Sequence, residues 1–227
     1  MLAQLFNNDL SARVYTEREF GEGDSLRVPP LNQLKYQIGS ESARLVVGKP
    51  IVESQRAAEI LDYFAELRSI WMYRDYADVS RSSDKRFSRN AAVRNLRAIG
   101  DTQAPQTFAS ENVSEYTRDI VRRLFSENMS GSDAHALFWY VRNRIYFEQN
   151  LDSHDRVMLC GYEDFVEAPE ARLREIYAFI GCDFPGAHLV RGVHTRSVKS
   201  RPLENLSEPV AELCDELQAQ LRAGSAW

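Results

Sequence analysis

Cysteine is scarce in this sequence: Cys160, Cys182 and Cys214 are the only three in 227 residues. Odd in number and far apart, they exclude a disulfide framework and offer no Cys-x-x-Cys pair for zinc. They read as buried thiols of a reducing compartment. The histidines, His135, His154, His188 and His194, match no zinc spacing. No apolar run approaches the roughly 20 residues that a membrane-spanning helix needs. The amino terminus lacks the basic stretch and apolar run of a secretory signal, so cytoplasm is the expected location. A basic excess is missing too. The formal net charge of −5 argues against a nucleic-acid-binding surface, although a local basic pocket can sit in an acidic protein. There is no Gly-x-Ser-x-Gly elbow for a hydrolase triad. Glycines and a lysine occur between Gly39 and Lys49, but their spacing fails Gly-x-x-x-x-Gly-Lys-Ser/Thr, and Pro50 follows the lysine.

What is present suits an ordinary globular chain. At 44% hydrophobic and 27% charged residues it is too apolar for disorder, and its length fits one domain, taken as 1–227. Four short segments rich in Val, Leu, Ile or aromatic residues read as strands: Ala12 to Thr16, Arg44 to Gly48, Ser69 to Tyr73 and Arg156 to Tyr162. Runs such as Leu45-Val46-Val47 lack alternation and suit a parallel sheet covered on both faces. Helical stripes lie between and after them. Ala57, Ile60, Leu61 and Phe64 form one, behind Pro50; Leu173, Ile176, Tyr177 and Ile180 form another, behind Pro169 and ahead of Gly181. Val210, Leu213, Leu217 and Leu221 make a third, behind Pro209. Strands alternating with helices imply a doubly wound α/β architecture, with Gly100 to Ser110 as a surface loop.

The segment from Ile70 to Ser82 carries most of the chemical information. An apolar strand ends in Arg74 and runs through a turn into a helix bearing several hydroxyls. In open α/β folds ligand-binding groups gather at the carboxyl ends of strands. A guanidinium there, with a serine eight residues on, can clamp a phosphate. The plain alternative is an ion pair of Arg74 with Asp75 or Asp78. Elsewhere, Tyr162 and Glu163 close another strand, Lys49 ends a third, and Glu17 lies just past the first. Arg196, Lys199 and Arg201, with Ser197 among them, form a basic loop that is either a phosphate contact or simply solvated. Trp71, Trp139, Tyr140 and Tyr146 read as core, or as lining for a pocket.

The pattern Arg74-Asp75-x-x-Asp78-Val79-x-x-Ser82 resembles the 3′-phosphate-binding motif of sulfotransferases that use 3′-phosphoadenosine 5′-phosphosulfate (PAPS). Tyr76 stands where that family usually has proline. Arg156 to Phe165 is similar to the family's strand followed by Tyr-Glu-Asp, and Leu45 to Pro50 to its strand ending in lysine and proline. The resemblance implies an α/β fold of the three-layer, P-loop-like kind, with a parallel sheet flanked by helices. It implies transfer of a sulfuryl group from PAPS to a hydroxyl or amine of a small molecule or carbohydrate, with no metal. By the same resemblance Arg74 and Ser82 bind the nucleotide, with Ser80 or Ser83 standing in if the register slips. Lys49 assists transfer, Glu17 takes the acceptor's proton, and Arg196, Ser197 and Lys199 belong to a basic segment over the phosphates.

The family's first strand and its Gly/Ser/Thr-rich loop for the 5′-phosphosulfate have no counterpart here. Met1 to Asp9 resembles the helix that follows that loop, with Leu2, Leu5 and Phe6 as its buried face. Two expectations compete. Either the natural protein carries about 10–20 further residues with the strand and loop, or it is a relative without transferase activity that binds or interacts. A P-loop kinase is a third reading, disfavoured by the absence of a Walker lysine.

Overall fold

The computed structural model describes residues 1–20, 26–50, 52–86, 89–195, 198 and 201–225. Along the chain run α1 (Leu2–Phe6), β1 (Ala12–Thr16), α2 (Glu17–Phe20), α3 (Leu31–Gly39), β2 (Leu45–Lys49), α4 (Ala57–Tyr63), β3 (Ser69–Tyr73) and α5 (Tyr76–Arg86). Then follow α6 (Arg89–Gly100), α7 (Glu115–Leu124), α8 (Gly131–Glu148), β4 (Val157–Gly161), α9 (Tyr162–Glu167), α10 (Pro169–Phe179) and α11 (Glu208–Gly224). The fold is mixed α/β, with small parallel sheets flanked by helices. It forms two compact units, Met1–Glu66 with Ala168–Val193 and Leu67–Glu167 with His194–Trp227.

In the first unit β1 and β2 pair in parallel, Ala12 opposite Leu45 and Thr16 opposite Lys49. The second strand therefore begins and ends one residue later than its composition suggests. Val14 and Tyr15 are buried, and the Tyr15 ring stacks on Phe20 with centroids 5.0 Å apart. Gly48 permits that stack, because a Cβ there would stand 2.9 Å from the Phe20 ring. The α10 stripe is as expected except at Ile180, a half-buried residue just past the helix: Pro169 opens the helix, Leu173, Ile176 and Tyr177 are buried, and Gly181 follows at a φ of 74°. The stripe at Ala57 to Phe64 starts later than Pro50 suggests. A 3₁₀ turn at Ser54–Arg56 comes first, and Phe64 is already extended.

Two buried carboxylates anchor this unit. Glu53 accepts from Arg27 Nε at 2.6 Å, Arg56 Nη1 at 3.0 Å and the Val28 N–H at 3.1 Å. Asp9 accepts from the Tyr177 hydroxyl at 2.7 Å and from the Ser11 hydroxyl and N–H at 2.8 and 2.9 Å. Burial alone would raise the Asp9 pKa, but the bonds from Tyr177 and Ser11 outweigh it and hold the carboxyl below its ordinary value.

In the second unit β3 and β4 pair in parallel, Ser69 opposite Val157 and Tyr73 opposite Gly161. The helix at its centre is α8, against which α5, α6, α7 and α11 pack. Ala134, Leu137, Val141 and Ile145 have no exposure at all. Its amino end is capped by the Ser130 hydroxyl, which accepts the Asp133 N–H at 2.9 Å. This helix escapes stripe analysis because it is apolar on most sides, as a helix enclosed by others is. The third stripe is largely as expected, except that Cys214 rather than Leu213 is buried beside Val210, Leu217 and Leu221. The segment expected as a surface loop, Gly100 to Ser110, ends in a 3₁₀ turn whose Ala109 and Ser110 are buried.

The Asp9 cluster makes stability depend on pH. A depressed carboxyl contributes stability above its unfolded pKa of about 3.9, and that stability is lost as pH falls through the folded value. Tyr177→Phe removes one of the three bonds and is expected to cost about 1–3 kcal/mol at neutral pH. It also flattens the loss of stability in acid. Urea denaturation of both proteins between pH 2 and pH 7 measures the two effects.

Candidate functional site

The site begins where β3 ends. Leaving Tyr73, the chain crosses Arg74 and Asp75 and enters α5 at Tyr76. Asp75 caps the helix, its Oδ1 accepting the Asp78 N–H at 3.0 Å. Its other oxygen accepts from Gln218 Nε2 at 3.1 Å, while Gln218 Oε1 accepts the Tyr76 N–H at 3.0 Å. The indole of Trp139 donates to the Arg74 carbonyl at 2.9 Å. Side chains from α8 and α11 thus pin the backbone of residues 74–76.

Tyr76 uses what proline lacks. Its N–H is the donor to Gln218, its hydroxyl donates to Asp215 at 3.0 Å, and its ring tilts against Trp139 at 5.7 Å. Burial, then the bond to Asp215, pushes its pKa up. The departure from the sulfotransferase pattern at this position is therefore accompanied by a local network that needs an N–H.

The neighbouring strand ends in register with β3, so Tyr162 and Glu163, at the start of α9, come beside Arg74. The guanidinium of Arg74 lies over the Tyr162 ring, 4.7 Å from its centroid. Its Nη2 donates to Asp78 Oδ2 at 3.3 Å, and its Nε is 3.9 Å from Glu163. The Asp78 side chain is 1% exposed, and its other oxygen accepts from Arg81 at 2.5 Å. Arg81 in turn donates to the carbonyls of Arg201 and Pro202 at 2.5 and 3.3 Å. Glu163 accepts the Asp75 N–H at 3.2 Å. Burial pushes its carboxyl above the usual range, with the hydrogen bonds and Arg74 pulling the other way.

The expected residues fall as follows. Arg74 stands at the strand end, and the ion pair with Asp78 is formed there, around a carboxylate removed from water. Ser82 is half-buried on α5, one turn beyond Asp78; Ser83 is half-buried too, while Ser80 is buried. Lys49 and Glu17 belong to the first unit, Lys49 as the exposed last residue of β2 and Glu17 as the first of α2. Arg196, Ser197 and Lys199 lie outside the described residues. Trp139, Tyr140 and Tyr146 are buried on α8 as core, and the half-buried Trp71 packs against Tyr146 at 5.7 Å. Among the described residues, no group of three or more His, Cys, Asp or Glu could hold a metal, and no helix is long and apolar enough to cross a membrane.

Sequence reading missed Arg81 and Gln218. Arg81 left a signal, three residues past an aspartate on a helix, where opposite charges meet. Gln218 left none, since its partners lie more than 140 residues away.

Asp78 should matter more to stability than either arginine. Asp78→Ala leaves two guanidiniums without their shared carboxylate and is expected to cost about 3–5 kcal/mol. Arg81, 28% exposed, should cost about 1 kcal/mol as Arg81→Ala. Equal losses in urea denaturation would contradict this ranking.

No family model matches the chain, and neither does any curated protein. Among solved structures, it is similar to a sulfotransferase domain from the curacin biosynthetic pathway, at 16% identity and a TM-score of 0.45. The similarity covers 85% of this chain and 66% of that one, so the chain spans just under two thirds of that domain.

Proposed function

We propose that residues 1–227 act as one sulfotransferase-like domain that moves a sulfuryl group from PAPS to a hydroxyl or amine of a small molecule or carbohydrate. The observation that carries this reading is the position of Arg74 at the carboxyl end of a parallel strand, directly before a helix bearing Ser82. The reading brings with it the three-layer, P-loop-like architecture expected from the sequence. In it Arg74 and Ser82 bind the 3′-phosphate, by guanidinium and hydroxyl.

Local charge supports an anion there. Two guanidiniums share the single carboxylate of Asp78, so this trio keeps one net positive charge. The carboxyl of Glu163, 3.9 Å from Arg74 Nε, stands beside this trio, with its pKa raised by burial. The backbone of Arg74 is fixed by Trp139, so little ordering is left for binding to supply.

Transfer is in line. The acceptor oxygen or nitrogen bonds to sulfur as the bond from sulfur to the phosphate oxygen breaks, and 3′,5′-bisphosphoadenosine leaves. Lys49 offsets charge at the transferred group, and Glu17 takes the acceptor's proton. Arg196, Ser197 and Lys199 supply further phosphate contacts.

Calorimetric titration with 3′,5′-bisphosphoadenosine tests the reading. The natural chain is expected to bind it. Arg74→Ala should weaken binding by about 10- to 100-fold, the worth of one charge-assisted bond. Ser82→Ala should weaken it by about fivefold, and circular dichroism checks that both variants are folded. No binding by the folded natural chain overturns the proposal in favour of a non-enzymatic binding protein. Binding of ATP with Mg²⁺, and none of bisphosphoadenosine, would favour a kinase instead.

A further inference from the structure

The second unit has a second cationic place, away from the strand ends. Arg89, Asn90, Val93, Arg94 and Arg97 line one stripe of α6, and with Glu127 and Asn128 they border an open cleft of about 450 Å³. At a rise of 1.5 Å per residue, Arg89 and Arg97 lie about 12 Å apart along the helix, with Arg94 between them.

The three arginines are held differently. Arg97 forks onto both carboxylate oxygens of Glu127, Nε to Oε1 at 2.7 Å, so its charge is matched. Arg89 donates to two backbone carbonyls, that of Met129 at 2.8 Å and that of Glu127. These fix its guanidinium without neutralising it. Arg94 is exposed and, among the described residues, has neither an ion pair nor a hydrogen bond. Two unmatched cations therefore share one cleft in a protein whose net charge is −5.

We propose that this cleft binds an acidic, hydroxyl-bearing molecule of about sugar size, through Arg89 and Arg94. Guanidiniums recognise sulfate, carboxylate or phosphate groups in bidentate fashion. The amides of Asn90 and Asn128 each offer both a donor and an acceptor, as hydroxyls require. The volume suits a compact ligand. A nucleic-acid strand fits less well, because among the described residues no aromatic ring lines the cleft for bases to stack on. None of these residues belongs to the Arg74 cluster, so the proposal stands whether or not the chain binds bisphosphoadenosine.

Titration of the full chain with a sulfated disaccharide at low salt is the test. The probe should bind, its unsulfated parent should not, and added salt should weaken binding. Arg94→Gln, an exposed change, should weaken it by about tenfold, for loss of one charged hydrogen bond. Glu127→Gln releases Arg97 and should tighten it. The Arg94 variant should leave any bisphosphoadenosine binding unchanged. Failure of the natural chain to bind the sulfated probe overturns the proposal, as does equal binding by Arg94→Gln. Inorganic sulfate binding as tightly as the disaccharide removes the sugar from it. Tighter binding of a single-stranded oligonucleotide makes the site one for nucleic acid.

Discussion

Taking a carboxylate out of water costs several kcal/mol unless cations and donors replace its hydration. Asp78 is almost wholly enclosed, with a guanidinium on each of its oxygens. One of these, Arg74, sits at the end of β3, and the other, Arg81, reaches the backbone at residues 201 and 202. Strand end, helix α5 and the segment before α11 are thereby tied to one buried charge. The orientation of Arg74, on which a nucleotide reading depends, follows from that tie together with the Tyr162 ring beneath it.

The two units face the same problem, and the first solves it in two ways. In the first, Glu53 is held by two arginines and a backbone N–H, while Asp9 is held by neutral hydroxyls and an N–H. A carboxylate satisfied by neutral donors keeps its whole negative charge, whereas one between guanidiniums loses it to the surroundings. Guanidiniums flank both Glu53 and Asp78, and of the two it is Asp78 whose partner, Arg74, directly follows a strand, where ligands of open α/β sheets collect.

The parts of the molecule legible in the sequence were those governed by local rules. Strands rich in β-branched and aromatic residues stood out, and all four lie within a residue of where their composition put them. Proline at the start of α10 and glycine just past its end bracketed that helix for reasons of backbone geometry alone. Helix α8 was invisible because being buried on most sides erases the stripe that reveals a helix. At the candidate site, Arg74 was legible because strand-end position and residue type suffice to name it. The partners that orient it were not: Trp139, Glu163 and Gln218 reach it or its neighbours through the fold, not along the chain. Sequence could name an ion pair with Asp78 but not its burial, which turns a weak surface contact into a structural requirement.

Gln218 carries a consequence of its own. One amide accepts the Tyr76 N–H and donates to the Asp75 carboxylate, so the position needs an acceptor and a donor on one short planar group. Glutamate would set two carboxylates against each other, and lysine would have nothing to offer the N–H. A residue on the last helix is in this way answerable to the turn after the third strand. Were position 76 proline, as in the pattern this turn resembles, the amide would lose one of its two tasks. Because every residue but proline brings a backbone N–H, the amide at 218 leaves the side chain at 76 open and bars only the one residue that cannot donate.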